Sequence, residues 1–270
     1  MNAAIKLSAP ASHGFWEIPV LYEDAHLLAL DKPADLPASP DRTEPDRPNL
    51  LKLLHDAIKR GAPSAVAGGR TYLMPTHRLD AEASGVMLLA KSKPALIALL
   101  NLFGEAKPGK RHVALVQGAP AEDRFQVEAK LAPHPARIGL MRVDSRHGKR
   151  SLTVFTVRER FTRHTLLQCE PMTDRPHQIR AHLRDARLPV VGDQLYGGRL
   201  LLLSQLKQEY RLKPNRTERP LLARAALHCE SLALPHPVTG EPLTITAPWP
   251  KGLTVAVKYL RRYALPQAPG

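Results

Sequence analysis

Three stretches combine residue types that could do chemistry. The first is MPTHRLDAEASGVMLLAKS, residues 74–92, which sets one carboxylate, Asp80, behind His77 and Arg78 and ahead of an apolar run. An acid in a loop between two buried strands is held by rigid neighbours, as a nucleophile or general base must be. A lone loop Asp more often caps its own turn, so Asp80 gains weight only from its company. The second is TDRPHQIRAHLRDAR, residues 173–187. On a helix, His177, Arg180 and Arg184 fall at three- and four-residue spacing and share a face, with Ile179, Leu183 and Ala186 on the opposite stripe. A solvated basic face is the plainer account of that pattern. The third is KRHVALVQG, residues 110–118, a strand entered through Lys110, Arg111 and His112.

Other motifs fail. GEAKPGK, residues 104–110, matches a phosphate-cradling loop, but Arg111 stands where Ser or Thr would hold magnesium, and a strand follows where a helix is needed. His177 and His182 are five apart, not the four that would place two metal ligands on one helix face. Cys169 and Cys229 are far apart in apolar surroundings and form no CxxC pair, so they read as buried thiols in a reducing compartment.

Bulk properties narrow the partner. Lys and Arg outnumber Asp and Glu by 39 to 25, a net charge of +14. Such a balance favours an anionic partner, nucleic acid above all, over a merely solubilising surface. Aromatics at 5 % are too few for an extended base-stacking groove. The N-terminus lacks the apolar core of a signal peptide, and no apolar run has the length of a membrane span. A cytoplasmic protein is expected.

The elements that must position these residues follow from periodicity. Residues 26–30, 71–74, 86–90, 113–117 and 125–131 read as strands, and 152–157 with 165–170 as a hairpin. Residues 49–60 form a helix capped by Asn49, 92–103 one capped by Ser92 with Leu96, Leu99, Leu100 and Phe103 as its stripe. A helix from Thr173 or Asp174 to about Arg187, another over 200–210 and a last one over 253–262 are predicted, with strand over 221–234 and 243–246. Residues 31–48 are loop and 61–69 a flexible connector. Strands cluster and βαβ alternation is not sustained. That gives an α+β fold with a mixed, largely antiparallel central sheet flanked by helices. We expect a tail or short arm over 1–20, one catalytic domain over 21–262 and a tail over 263–270, with no room before Leu21 for a further binding module.

In order along residues 21–250, these segments resemble the RluA-type RNA pseudouridine synthases. Their HRLDxxTSG pattern is met by His77, Arg78, Leu79, Asp80, Ser84 and Gly85, and their KPxGLPxxP by Lys32, Pro33, Leu36, Pro37 and Pro40. GRxHQIRxHL is met by Arg175, His177, Gln178, Ile179, Arg180, His182 and Leu183, and GDxxYG by Gly192, Asp193, Tyr196 and Gly197. LHCESLALPHPVTGEPL, residues 227–243, is similar to the closing strand and turn. KPxGLPxxP is only approximated, and elsewhere Ala83 replaces Thr, Asp174 replaces Gly, and His112 stands where KxYxALVxG has Tyr.

The resemblance implies the pseudouridine synthase fold and an isomerase that turns a specific uridine of ribosomal or transfer RNA into pseudouridine, with no metal or other cofactor. It assigns Asp80 as the catalytic carboxylate, Arg180 as the cation paired with it, and His112 to the site in the tyrosine's place. Arg78 enters the space near a flipped nucleotide, and His77, Lys110, Arg175, His177, Gln178 and Arg184 join it as RNA contacts. The partner is structured RNA, met by a monomer. Residues 137–150 and 213–219 supply phosphate-binding charge. Two other readings stand beside this one. One is the same fold as a catalytically impaired RNA-binding protein in RNA folding or ribosome assembly. The other is a glycoside hydrolase using Asp80 and Glu82, which the net charge and the scarcity of aromatics disfavour.

Overall fold

The computed structural model describes residues 3–40, 44–105, 108–212 and 215–266. Along the chain run β1 (Ala4–Ala9), β2 (Gly14–Glu23), β3 (Leu27–Lys32), α1 (Leu50–Lys59), α2 (Pro63–Val66), β4 (Met74–Pro75), β5 (Ser84–Ala90) and α3 (Lys93–Glu105). Then come β6 (Gly109–Gln117), β7 (Arg124–Pro133), β8 (Met141–Val143), β9 (Lys149–Arg160), β10 (His164–Pro171), α4 (Gln178–Asp185), β11 (Leu227–Pro235), β12 (Pro242–Thr246) and α5 (Lys251–Tyr263). The α+β class is as expected.

The chain divides into two compact units. The first comprises residues 1–110 and 229–248. Its strands lie in the order β1-β2-β3-β5-β11, with β4 on β5 and β12 on β11. β1–β2, β2–β3 and β3–β5 pair antiparallel. All seven residues of β5 are buried, as an apolar run inside a sheet must be. Gly85 is held at φ 112°, and a Cβ there would overlap the carbonyl oxygen of Cys229. A glycine is therefore required for β5 to lie against β11.

The second unit comprises residues 111–228 and 249–270. Its strands lie in the order β6-β10-β9-β7-β8. β6–β10, β10–β9, β9–β7 and β7–β8 are all antiparallel. Alternate residues Ser151, Thr153 and Phe155 of β9 are buried, the period-two pattern read in the sequence. The hairpin of β9 and β10 is as predicted.

Several elements differ from expectation. Residues 4–23 are not a tail: β1 and β2 pair with Ile5 opposite Ile18 and Leu7 opposite Trp16, and Ile5, Leu7 and Ile18 are buried. Residues 61–69 hold the short helix α2 and a 3-10 turn, begun by Pro63. On α3, Leu99 is buried but Leu100 is half-exposed, so the stripe is narrower than predicted. The predicted helix over 200–210 is a single 3-10 turn over Leu203–Gln205, and strand begins at Leu227 rather than 221. Asn49 caps α1 through the backbone N–H of Lys52, as expected. Both cysteines are free and buried. Lys213 of the basic stretch 213–219 lies outside the described residues, as do residues 106–107 of the glycine loop.

Candidate active site

In the first unit the site is the loop between β4 and β5. Thr76 starts it with its backbone N–H and its hydroxyl both on the carbonyl of Leu88, at 3.2 and 3.1 Å. The backbone N–H of Leu88 donates to Nε2 of His77 at 3.0 Å, and the imidazole stacks on Phe103, 5.7 Å between centroids. Lys110 covers the same Phe103 ring at 5.2 Å, within cation–π range. His77 thus braces the loop against β5 and α3. Arg78 is exposed, Leu79 buried and Asp80 partly buried. A turn closes behind the acid, with the N–H of Ala83 donating to the carbonyl of Asp80 at 3.2 Å.

A second support was not assigned from sequence. Lys32, at the end of β3, is fully buried, and its ammonium donates to the carbonyls of Pro33, Leu36 and Ala81 at 2.7, 2.8 and 3.2 Å. The backbone N–H of Asp35 also donates to Ala81, at 2.7 Å. One buried cation therefore gathers the 33–36 loop and the backbone next to Asp80. Buried ammonium groups survive only when their donors are satisfied, and here carbonyl dipoles do that.

In the second unit the predicted basic helix is shorter and more buried than its pattern implied. It begins at Gln178 because His177 sits at φ 51°, ψ 22°, outside the helical region. That left-handed conformation costs a non-glycine residue roughly 1–2 kcal/mol. Thr173 does not cap the helix. Its hydroxyl accepts the N–H of Leu152 and donates to Oε1 of Gln178, at 3.0 and 2.8 Å. Gln178 also accepts the N–H of Arg175 and donates to the carbonyl of Leu152 and to Oγ1 of Thr153. Its amide is a brace between α4 and β9. His182, fully buried, continues the chain, with Nδ1 3.0 Å from Oγ1 of Thr153 and Nε2 2.8 Å from Oγ of Ser151, which donates on to the carbonyl of Ala129. Burial lowers its pKa to about 4, so it is neutral at pH 7.

The expected shared face of His177, Arg180 and Arg184 does not hold. Arg184 is exposed, whereas Arg180 is 1 % exposed and donates from Nε and Nη2 to Asp193 at 2.6 and 2.9 Å. Its guanidinium also lies over the ring of Tyr196, 4.8 Å from the centroid. Arg175 is partly buried, with Nε on the carbonyl of Arg150 at 3.2 Å. His112 is buried on β6, opposite Cys169 of β10. Basic side chains line the strands around β8: Lys130, Arg137, Arg142, Arg146, Lys149 and Arg150 are exposed. The backbone N–H groups of His147 and Arg146, with Arg142, hold the Asp144 carboxyl down at about 2. It folds the turn ahead of β9 as a fixed anion among these cations.

Lys32, Asp193, Tyr196 and His182 are the residues that motif reading quoted but gave no place in the site. The available signal was their chemistry: a lysine closing an apolar run and an acid amid small residues both need a buried partner.

Comparison with known proteins accords with this architecture. Residues 26–185 match the family model described as RNA pseudouridylate synthase. Ribosomal large subunit pseudouridine synthase D of Xanthomonas campestris is 36 % identical over 248 residues, covering 90 % of this chain and 69 % of that one. Synthase C of Escherichia coli is 34 % identical over 244 residues, covering 90 % and 70 %. The solved structure of Human RNA Pseudouridylate Synthase Domain Containing 4 superposes with a TM-score of 0.66 at 22 % identity, over 90 % of this chain and 92 % of that chain, a likeness of fold. The fold and the spaced motifs define an RNA-modifying isomerase. This chain belongs to the RNA pseudouridylate synthase family, as the RluA-type motifs implied, and its reaction is the conversion of uridine in RNA to pseudouridine.

Proposed function

We propose that the substrate is ribosomal RNA and that Asp80 carries the reaction without a cofactor. The two relatives above are named for the large ribosomal subunit, and that name is the reason to favour ribosomal over transfer RNA. The observation that carries the catalytic part is the construction around Asp80: a half-buried acid on a loop fixed at both ends by Thr76, His77 and Lys32. In the reaction the N1–C1′ bond of uridine breaks, the base turns, and C5 bonds to C1′. The C5 hydrogen leaves to solvent and N1 gains a proton, so neither oxidation nor hydrolysis occurs. Asp80 either adds to the nucleoside or takes a sugar proton.

The target must leave its stack before a carboxylate reaches it. Arg78, exposed two residues ahead of Asp80, has the planar cation to hold the opened site. His112 takes the place of the family's tyrosine and can stack or move protons near neutral pH. The exposed cations around β8 suit a partner read by shape and backbone. Among the described residues no helix is long and apolar enough to cross a membrane, and our reading is of a monomer working in the cytoplasm.

Release of tritium from [5-³H]uridine-labelled ribosomal RNA tests this reading. The wild-type protein should release it. Asp80→Asn should abolish release while RNA affinity stays within a few-fold. Full activity in that variant would remove Asp80 from the chemistry, and release from transfer RNA alone would overturn the substrate assignment.

A further inference from the structure

Tyr196 belongs to none of the RNA-facing or catalytic roles above, yet three parts of the second unit meet on it. The side chain is 1 % exposed. Its ring lies under the Arg180 guanidinium at 4.8 Å and meets the His177 ring edge-on, 5.7 Å between centroids at 76°. Its hydroxyl oxygen is 3.0 Å from Nδ1 of His177 and accepts the backbone N–H of Met141 at 2.9 Å. Met141 opens β8, so the tyrosine also ties down the loop end of the cation-bearing β7–β8 hairpin. Around it Leu131, Leu140, Met141 and Ala181 are buried together.

The hydroxyl has one proton and two lone pairs. One lone pair takes the Met141 N–H. The 3.0 Å contact couples the orientation of the phenolic proton to the tautomer of the His177 imidazole. This bond also answers what keeps His177 in its left-handed conformation (φ 51°), since its helix cap lacks a side-chain hydrogen bond. Strained residues persist where their surroundings over-determine them, and such places are commonly functional.

We propose that Tyr196 is a positioning residue for the reaction. Its ring carries the buried Arg180 guanidinium, and its hydroxyl holds the His177 imidazole in one orientation and one tautomer, so that this part of the site is set before RNA arrives. The part concerning RNA rests on the function proposed above. The part concerning the histidine does not, and the two are separable.

Tyr196→Phe keeps the ring and deletes only the hydroxyl. In ¹⁵N spectra of the free protein, wild-type His177 should show the pattern of a single tautomer, and the variant a mixture. The same spectrum in both would overturn the positioning claim, whatever the activity. With tritium release from ribosomal RNA as the second readout, Tyr196→Phe should lower kcat/KM about tenfold. In a His177→Ala background the same change should cost little more. Additive losses in the two backgrounds would reduce Tyr196 to a packing residue and sink the proposal. Absence of release by the wild-type protein would instead strike the proposed substrate and leave the tautomer result standing.

Discussion

Arg180 lays Nε and Nη2 on the carboxylate of Asp193, 2.6 and 2.9 Å away, with both side chains 1 % exposed. The two residues stand on either side of the turn that follows α4, so the pair fastens the helix to that turn. Removing the anion takes two short charged hydrogen bonds from a buried guanidinium, at a cost of up to roughly 3–5 kcal/mol. Asp193→Asn should therefore lower urea-unfolding stability by about that amount. Replacing both, Asp193→Leu with Arg180→Met, should recover much of the stability but none of the activity. A double variant as unstable as the single would mean that the pair's worth lies in shape rather than charge.

The readability of this pair in the sequence is partial, and the reason is general. Local pattern revealed α1, the β9–β10 hairpin and the buried β5, since capping, alternation and an apolar run are properties of neighbouring residues. It overextended α4 because the polar, proline-bearing start at 173–177 satisfies a helix N-terminus as well as it satisfies a turn. What settles the matter is Thr173 bonding to Leu152 and Gln178, a tertiary contact. Residues 4–23 went unread as strands because their partner pairing, not their pattern, stabilises them. The motif residues were found, but their work was not: Gln178 and His182 look like ligand-facing groups in a list and prove to be internal struts. Asp193 and Tyr196 acquire meaning only when α4 is set beside the turn that holds them.

Lys32 gives a prediction of a different kind. Its ammonium bonds three carbonyls, one of them that of Ala81, next to Asp80. Lys32→Met keeps most of the side-chain volume and removes the donors, leaving carbonyls to face apolar surroundings. We expect a stability loss of roughly 2–4 kcal/mol, several hydrogen bonds' worth, and an activity loss that exceeds the unfolded fraction. The check is tritium release at a temperature where circular dichroism finds the variant folded. Normal turnover there would confine Lys32 to a folding role.

The exposed cations around β8 predict how binding responds to salt. Each phosphate they neutralise should add roughly 0.7–0.9 to the slope of log affinity against log salt. Arg137→Gln with Lys149→Gln, both exposed, should leave the fold intact and flatten that slope by about two such increments, measured by filter binding to ribosomal RNA. An unchanged slope would move the phosphate contacts off this hairpin.

Acid should weaken the second unit in a window set by His182. Burial holds its imidazole near pKa 4 in the folded protein, against about 6.5 when unfolded. As pH falls through 6.5 the unfolded chain takes up a proton that the native chain refuses, so the equilibrium shifts toward unfolding. The contribution is complete above about pH 6.5, declines between about 6.5 and 4, and changes no further below that, amounting to at most roughly 3 kcal/mol. His164 adds to the same slope: burial, and next the charge of Arg163, lower its pKa as well. Glu23 and Asp24 act later. Burial pushes both up but is outweighed, for Glu23 by Arg70 and Lys91 and for Asp24 by Tyr22, two backbone N–H groups and His236, so they lose their stabilising effect only as pH falls below the ordinary carboxylate range. Urea midpoints taken from pH 7.5 to 4.5 should thus hold nearly level down to about pH 6.5 and fall below it in the wild type. His182→Gln, which can keep bonds to Ser151 and Thr153 without titrating, should flatten that decline even if it starts from a lower midpoint. Parallel curves for the two proteins would show that His182 takes up its proton as readily in the fold as in the unfolded chain, and that burial does not hold it neutral.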